Sequence, residues 1–160
     1  MERLWAPWRM TYIKGIKKEE GCVFCVKPNQ RDDRDNLLLF RGKTCFVLMN
    51  LFPYNNGHLM VIPYRHTSDF SDLDKETSGE LWELLCLCKK ALTNVMRPEG
   101  FNIGMNIGRD AGAGIDQHIH MHIVPRWNGD TNFMPVIGET KVISQALSET
   151  YDALVPHFLI

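Results

Sequence analysis

The sequence predicts an α+β protein with a five-stranded antiparallel sheet, a long central helix and a C-terminal helix. Three observations carry that prediction. Short apolar or alternating stretches, bounded by turn residues, arrive in two groups. Between the groups, Leu81, Leu84, Leu85, Cys88, Leu92 and Val95 recur at helical spacing. The strand-like stretches within a group are joined by hairpin-short connections, which suit antiparallel pairing rather than long parallel crossovers.

The elements follow in chain order. NLLLFR (36–41) and TCFVLMN (44–50) flank Gly42-Lys43 and read as a tight hairpin. The loop LFPYNNG leads to a third strand, HLMVIP (58–63). From Asp74 the period changes to a helical one, and the helix stops before Pro98-Glu99-Gly100, because proline cannot continue it. FNIGMNIG (101–108) alternates as a strand does, RDAGAG (109–114) is a glycine-rich loop, and QHIHMHIVP (117–125) is the fifth strand. An amphipathic helix is expected over 140–154. Residues 1–20, with Trp5, Trp8, Arg9 and Tyr12, read as an irregular arm, and residues 26–36 as a polar, exposed loop. No repeat, low-complexity segment or linker divides the chain. A single domain over 1–160 is therefore expected, with an arm (1–35), a core (36–137) and a helical end (138–160).

Composition narrows the function classes. The chain has 160 residues, 44% of them hydrophobic, enough for one sizeable core. Its formal net charge is −1 and its Lys and Arg form no long basic tract, which argues against a nucleic-acid polymer as partner. A small anionic ligand needs only a few local donors. No apolar run reaches membrane-spanning length, and MERLWAPWRMTYIKG places charges and a proline where a secretory signal has its apolar stretch. A cytoplasmic protein with no membrane partner is expected. In a reducing compartment, Cys22-Val-Phe-Cys25 reads as metal ligands or a redox pair before a structural disulfide. Cys86 and Cys88 diverge on the helix and read as packing residues or surface thiols.

Half of the six histidines lie within DQHIHMHIVPRW (116–127). On a strand, His118, His120 and His122 share one face, and Ile119, Met121 and Ile123 the other. Two chemistries suit such a row. Three imidazoles can bind a metal, or one can act as nucleophile while its neighbours position a phosphate. Gly112-Ala113-Gly114, just upstream, favours the second, since small flexible backbone can approach an anion and offer N–H groups.

HIHMHIV resembles the signature of the histidine triad (HIT) superfamily of nucleotide hydrolases and transferases. FVLMNLFPYNNGHLMVIPYRH (46–66) is similar to that family's first nucleotide-binding stretch, and NIGRDAGAG (106–114) to its phosphate-side loop. RLWAPWRMTYI and PRWNGDTNFMPV are most similar to the diadenosine tetraphosphate phosphorylase-like branch. The resemblance implies that His120 attacks the α-phosphorus of a nucleotide to give a nucleotidyl-histidine, which water or inorganic phosphate then resolves. It implies that His122 donates to the same phosphate or to the leaving group, aided by backbone N–H groups of Gly112, Ala113 and Gly114. Asn50 falls at the ribose-contacting position, where an acidic residue is common. Asn106 corresponds to a polar residue near the phosphates, and His58 to a member of the network behind the triad. Gly114 stands where many members carry Gln or Ser.

The resemblance also implies a structural zinc, because some members hold one through residues that correspond here to Cys22, Cys25, His66 and His118. That Cys₂His₂ set suits a closed tetrahedral site. It further implies a homodimer joined at a sheet edge. Independently, the 101–108 strand carries no charge or proline to discourage pairing, and Trp82, Leu85, Cys86 and Met96 fall off the main helical stripe. The implied substrate is a dinucleoside polyphosphate such as diadenosine tetraphosphate. Alternatives are a nucleoside phosphoramidate or adenylyl-conjugate hydrolase, and a nucleotide-binding regulatory module with negligible turnover. The middle histidine favours an enzyme, since binding alone needs no nucleophile. Trp127, next to the triad, is a candidate for contact with nucleotide or partner subunit, and His157 reads as an ordinary surface histidine.

Overall fold

The computed structural model describes residues 21–130 and 145–159. A one-turn helix, α1 (Val23–Val26), precedes the sheet, whose strands are β1 (Leu38–Arg41), β2 (Cys45–Met49), β3 (Leu59–Pro63), β4 (Gly100–Gly104) and β5 (Met121–Arg126). The long helix α2 (Lys75–Met96) lies between β3 and β4, and α3 (Leu147–Leu154) follows the sheet. All neighbouring strands are antiparallel, in the order β1-β2-β3-β5-β4. The arm with Trp5, Trp8, Arg9 and Tyr12, and the part of the expected terminal helix over 140–144, lie outside the described residues.

α2 begins where its chemistry dictates. The Asp74 carboxylate accepts from the Thr77 N–H at 2.8 Å, satisfying one of the open donors of the first turn. It ends at Arg97, in left-handed conformation with φ 48°, directly before Pro98. Leu81, Leu84, Leu85, Cys88, Ala91 and Leu92 are buried against the sheet. Each such leucine contributes about 1.5–3 kcal/mol through burial. Leu85 is therefore core, not an outward residue, because at helical spacing it shares the face of Leu81 and Leu92. Met96 also packs inward, leaving Trp82 and Cys86 exposed.

The sheet separates two apolar clusters. Leu59, Val61 and Ile123 join α2, Tyr151, Leu154 and Phe158 on one face. Leu38, Phe46, Leu48, Met60 and Ile62 form the other with Phe24 of α1, and it is on this second face that the histidines gather. The hairpin at Gly42-Lys43 is held by Glu80 of α2, whose carboxylate accepts from the backbone N–H groups of Lys43, Thr44 and Cys45. A Cβ at Gly42 would meet Glu80 Oε1 at 2.5 Å, so the clasp requires glycine there.

All five strands are shorter than their sequence patterns, three of them by two residues or more at one end. β1 starts at Leu38 because Leu37 takes φ 58°, outside strand geometry. β4 stops at Gly104, where its pairing with β5 runs out at His122. β5 starts at Met121, not at residue 117, because its ladder with β3 ends at Val61↔Met121, and upstream the Ile119 N–H turns to the Thr67 carbonyl instead of to β3. His118 and His120 therefore precede the strand. Their segment is tied down by the Ile119 N–H donating to the Thr67 carbonyl at 2.8 Å. Within the strand, Met121 and Ile123 turn to the α2 side of the sheet, while the His120 and His122 rings meet each other.

Candidate functional site: a row of histidines with two poles

His118, His120 and His122 are 0%, 6% and 6% exposed, so the row is an interior feature and not a solvated face. Burial pulls all three pKa values below the ordinary imidazole range. A carbonyl partner opposes that pull at His118 and His120, and His122 falls to about 4 with the neighbouring His120 adding to the effect. Neutral rings have one N–H and one lone pair, so their partners fix which nitrogen carries which.

At His118 the Nε2 lies 2.8 Å from the Pro63 carbonyl, which can only accept. Nε2 therefore carries the proton and Nδ1 carries a lone pair. That lone pair faces Cys22 Sγ at 3.3 Å, Cys25 Sγ at 3.6 Å and His66 Nδ1 at 3.2 Å, and Cys25 Sγ lies 3.4 Å from His66 Nδ1. One proton can serve only one such contact at a time, whereas one cation serves all four donors. Tetrahedral zinc with bonds of about 2.3 Å to sulfur and about 2.0–2.1 Å to nitrogen places its ligand atoms roughly 3.3–3.8 Å apart. The four ligand atoms lie within 4.8 Å of one another, and the contacts above match those edges. The donor set fits a metal of this kind, and the Pro63 carbonyl is the outer partner that orients a ligating imidazole.

At His120 the assignment reverses. Nδ1 lies 2.9 Å from the His118 carbonyl and so carries the proton, leaving the lone pair on Nε2. At His122 it reverses again, through a relay. His58 Nδ1 receives the Tyr54 backbone N–H at 3.0 Å and faces the Asn50 amide at 3.3 Å, so it is an acceptor. His58 Nε2 then carries the proton and donates to His122 Nδ1 at 2.8 Å. His122 Nε2 is left as an N–H donor, and it is a buried polar atom with no partner among the described residues. The His120 and His122 rings meet edge to face with centroids 4.7 Å apart. At this pole one of two neighbouring rings thus keeps a lone pair on Nε2 and the other an N–H.

The family model described as HIT domain matches residues 31–129, spanning the sheet, α2 and the histidine row. The chain belongs to the HIT domain family. A relative from Mycobacterium tuberculosis (strain CDC 1551 / Oshkosh), named AP-4-A phosphorylase, is 41% identical over 157 residues, covering 94% of this chain and 80% of the relative. A Schizosaccharomyces pombe relative, named adenosine 5'-monophosphoramidase, is 29% identical, with 68% of this chain and 76% of the relative covered. Among solved structures, a Zn-bound histidine triad family protein from Mycobacterium smegmatis matches with TM-score 0.68 and 25% identity, covering 86% of this chain and 93% of its own.

The HIT frame brings most of the sequence-marked residues together. Cys22, Cys25, His66 and His118 converge, as do His58, His120 and His122. Asn50 faces its own loop, where its side-chain oxygen accepts from the Phe52 N–H at 2.9 Å. Asn106 donates to the Tyr54 hydroxyl at 3.2 Å. In the glycine-rich loop, the Gly112 and Ala113 N–H groups bond to Arg109 and Gly108 carbonyls, while Gly114 is exposed. Trp127 donates its indole N–H to the Met96 carbonyl at 3.4 Å, at the end of α2, and His157 is exposed.

Sequence reasoning missed two aromatics at the row. Phe24 packs on His118 and His120 at centroid distances of 5.6 and 5.0 Å. Its signal was a phenylalanine between two cysteines that share a site, which must bury near them. Tyr54 lies over His58 at 4.6 Å and His122 at 5.5 Å. Its signal was an aromatic in a loop leading into Gly-His.

Proposed function

We infer that the protein is a HIT-family nucleotide hydrolase or transferase that cleaves at the α-phosphate through His120, with a dinucleoside polyphosphate such as diadenosine tetraphosphate as substrate. The observation that carries this is the opposed assignment of adjacent rings: a lone pair on His120 Nε2 beside an unpartnered N–H on His122 Nε2. A neutral His120 is a competent nucleophile, and its depressed pKa keeps it neutral at physiological pH. The His122 N–H suits the phosphate oxygens, whose charge moves toward the leaving group as the P–O bond breaks. His58 holds His122 in the required tautomer. Asn106 and the Gly114 backbone N–H serve the phosphates, with Gly112 and Ala113 shaping the turn that presents Gly114. Asn50 serves the ribose side after leaving its loop contact. The name of the Mycobacterium tuberculosis relative supports this substrate class over a phosphoramidate.

Zinc occupies the other pole in this reading, held by Cys22, Cys25, His66 and His118. When bound, it supplies a structural tie between α1 and the segments flanking the sheet. The protein acts as a cytoplasmic homodimer, supported by the β4 edge, open among the described residues, and by Trp82, 64% exposed, and Ile103, 48% exposed.

The test mixes the protein with diadenosine tetraphosphate or an adenosine phosphoramidate, with and without inorganic phosphate, and identifies products. Rapid-quench mass spectrometry should find an adenylyl adduct on the wild type and none on His120→Asn. Turnover persisting in a folded His120→Asn would overturn the reading.

A further inference from the structure

Tyr54 combines two features that packing alone does not require together. It is 47% exposed, yet its ring covers two buried imidazoles, His58 and His122. Its hydroxyl accepts from the Asn106 carboxamide at 3.2 Å. Tyr54 belongs to the loop between β2 and β3, and Asn106 to the segment after β4. The contact therefore joins polar groups from two loops, on a side chain whose ring lies 5.5 Å from that of His122.

We propose that the Tyr54 hydroxyl and the Asn106 carboxamide form the subsite for the phosphate on the leaving side of the broken bond, and that the same subsite selects inorganic phosphate over water as acceptor. This rests on the reading of His120 as nucleophile. In the first half-reaction, the Nε2 electron pair forms a P–N bond as the P–O bond to the leaving phosphate breaks. In the second, an oxygen of inorganic phosphate supplies the pair for a new P–O bond, and the P–N pair returns to Nε2. The second step retraces the first, so the acceptor phosphate sits where the leaving phosphate sat. Groups that hold the one hold the other. Water has no tetrahedral set of oxygens to engage them, so donors beyond His122 favour phosphate specifically. A phenol and a carboxamide are suited to this, being neutral donors of fixed direction that bond strongly to an anion.

The experiment follows diadenosine tetraphosphate with wild type, Tyr54→Phe and Asn106→Ala across rising inorganic phosphate, counting ADP and AMP separately. ADP and AMP arise from one intermediate, so their ratio reports the acceptor step whatever a variant does to the first step. Tyr54→Phe keeps the ring over His58 and His122 and removes only the hydroxyl. The phosphate concentration giving equal ADP and AMP should rise about tenfold in Tyr54→Phe, as for loss of one charge-assisted hydrogen bond. Asn106→Ala should move it the same way. An unchanged ratio in Tyr54→Phe overturns the inference. So does a wild type that yields AMP but no ADP, and with His120→Asn inactive that outcome leaves the histidine reading standing. An active His120→Asn overturns both.

Discussion

The two poles of the histidine row use one residue type for opposite ends. At the His118 pole, the imidazole N–H goes to a backbone carbonyl and a lone pair is left among two thiols and a second imidazole, an environment that calls for a cation. At the His122 pole, the relay ends on an N–H with no acceptor among the described residues, an environment that calls for an anion. His120 stands between them, its N–H on the His118 carbonyl. The difference comes from backbone groups that choose which ring nitrogen is committed, not from residue identity. A histidine's role is therefore set one contact away from its ring.

The comparison can be broken at either pole. His120→Asn should cost turnover about 10³-fold or more while leaving metal content and thermal midpoint unchanged. Steady-state assay, metal analysis and calorimetry on one preparation check this. A fall in metal content would mean that the poles are not separable.

The next effect is on stability against pH. His122 is held near pKa 4 when folded, against about 6.5 unfolded, chiefly by burial. Its folded pKa is lowered, so the unfolded chain binds the extra proton between those values. Stability attributable to His122 is therefore complete above about pH 6.5 and is lost as pH falls toward 4, by at most about 3 kcal/mol. Denaturant unfolding of wild type and His122→Asn at pH 7 and pH 5 should show the wild type losing more. Equal losses would show that His122 does not carry this linkage.

At the other pole, Cys22→Ser should release zinc and lower the thermal midpoint by roughly 5–10 °C, with turnover reduced less than in His120→Asn. Wild-type protein purified without chelators should carry about one zinc per chain, and a metal-free wild type would refute the assignment. The smallest effect should come from Trp82→Glu, on the face of α2 turned away from both poles. It should weaken self-association about tenfold, seen by sedimentation, and leave zinc content untouched. A wild type that sediments as a monomer would remove the homodimer.

How far the sequence reaches into this site depends on whether a contact is periodic. α2 was legible because its apolar residues repeat over 22 positions and its ends carry Asp74 and Pro98. The pairing of Cys22 and Cys25 with His66 and His118 came from likeness to a family, since no local pattern links residues 96 positions apart. The early start given to the last strand failed because side-chain alternation needs only extended backbone, whereas a strand also needs a paired neighbour, and beyond Val61↔Met121 the Ile119 N–H goes to the Thr67 carbonyl rather than to β3. Leu85 was misread as outward because a helical stripe is broad enough to take in positions beside its centre. Tautomers are invisible in a sequence, because the main-chain carbonyl is the same for every residue type and the amide N–H for every one but proline.

The relay to His122 begins at the backbone N–H of Tyr54. A main-chain amide does not titrate in the physiological range, and among the standard amino acids only proline removes it. The direction of the proton chain is thus protected from nearly all genetic change at its origin. The side chain at position 54 can drift, be selected or be redesigned for a different acceptor without reversing the polarity of His58 and His122. Substrate preference and proton direction are separately heritable at one residue. Tyr54→Pro, which deletes the amide, is the substitution that would join them.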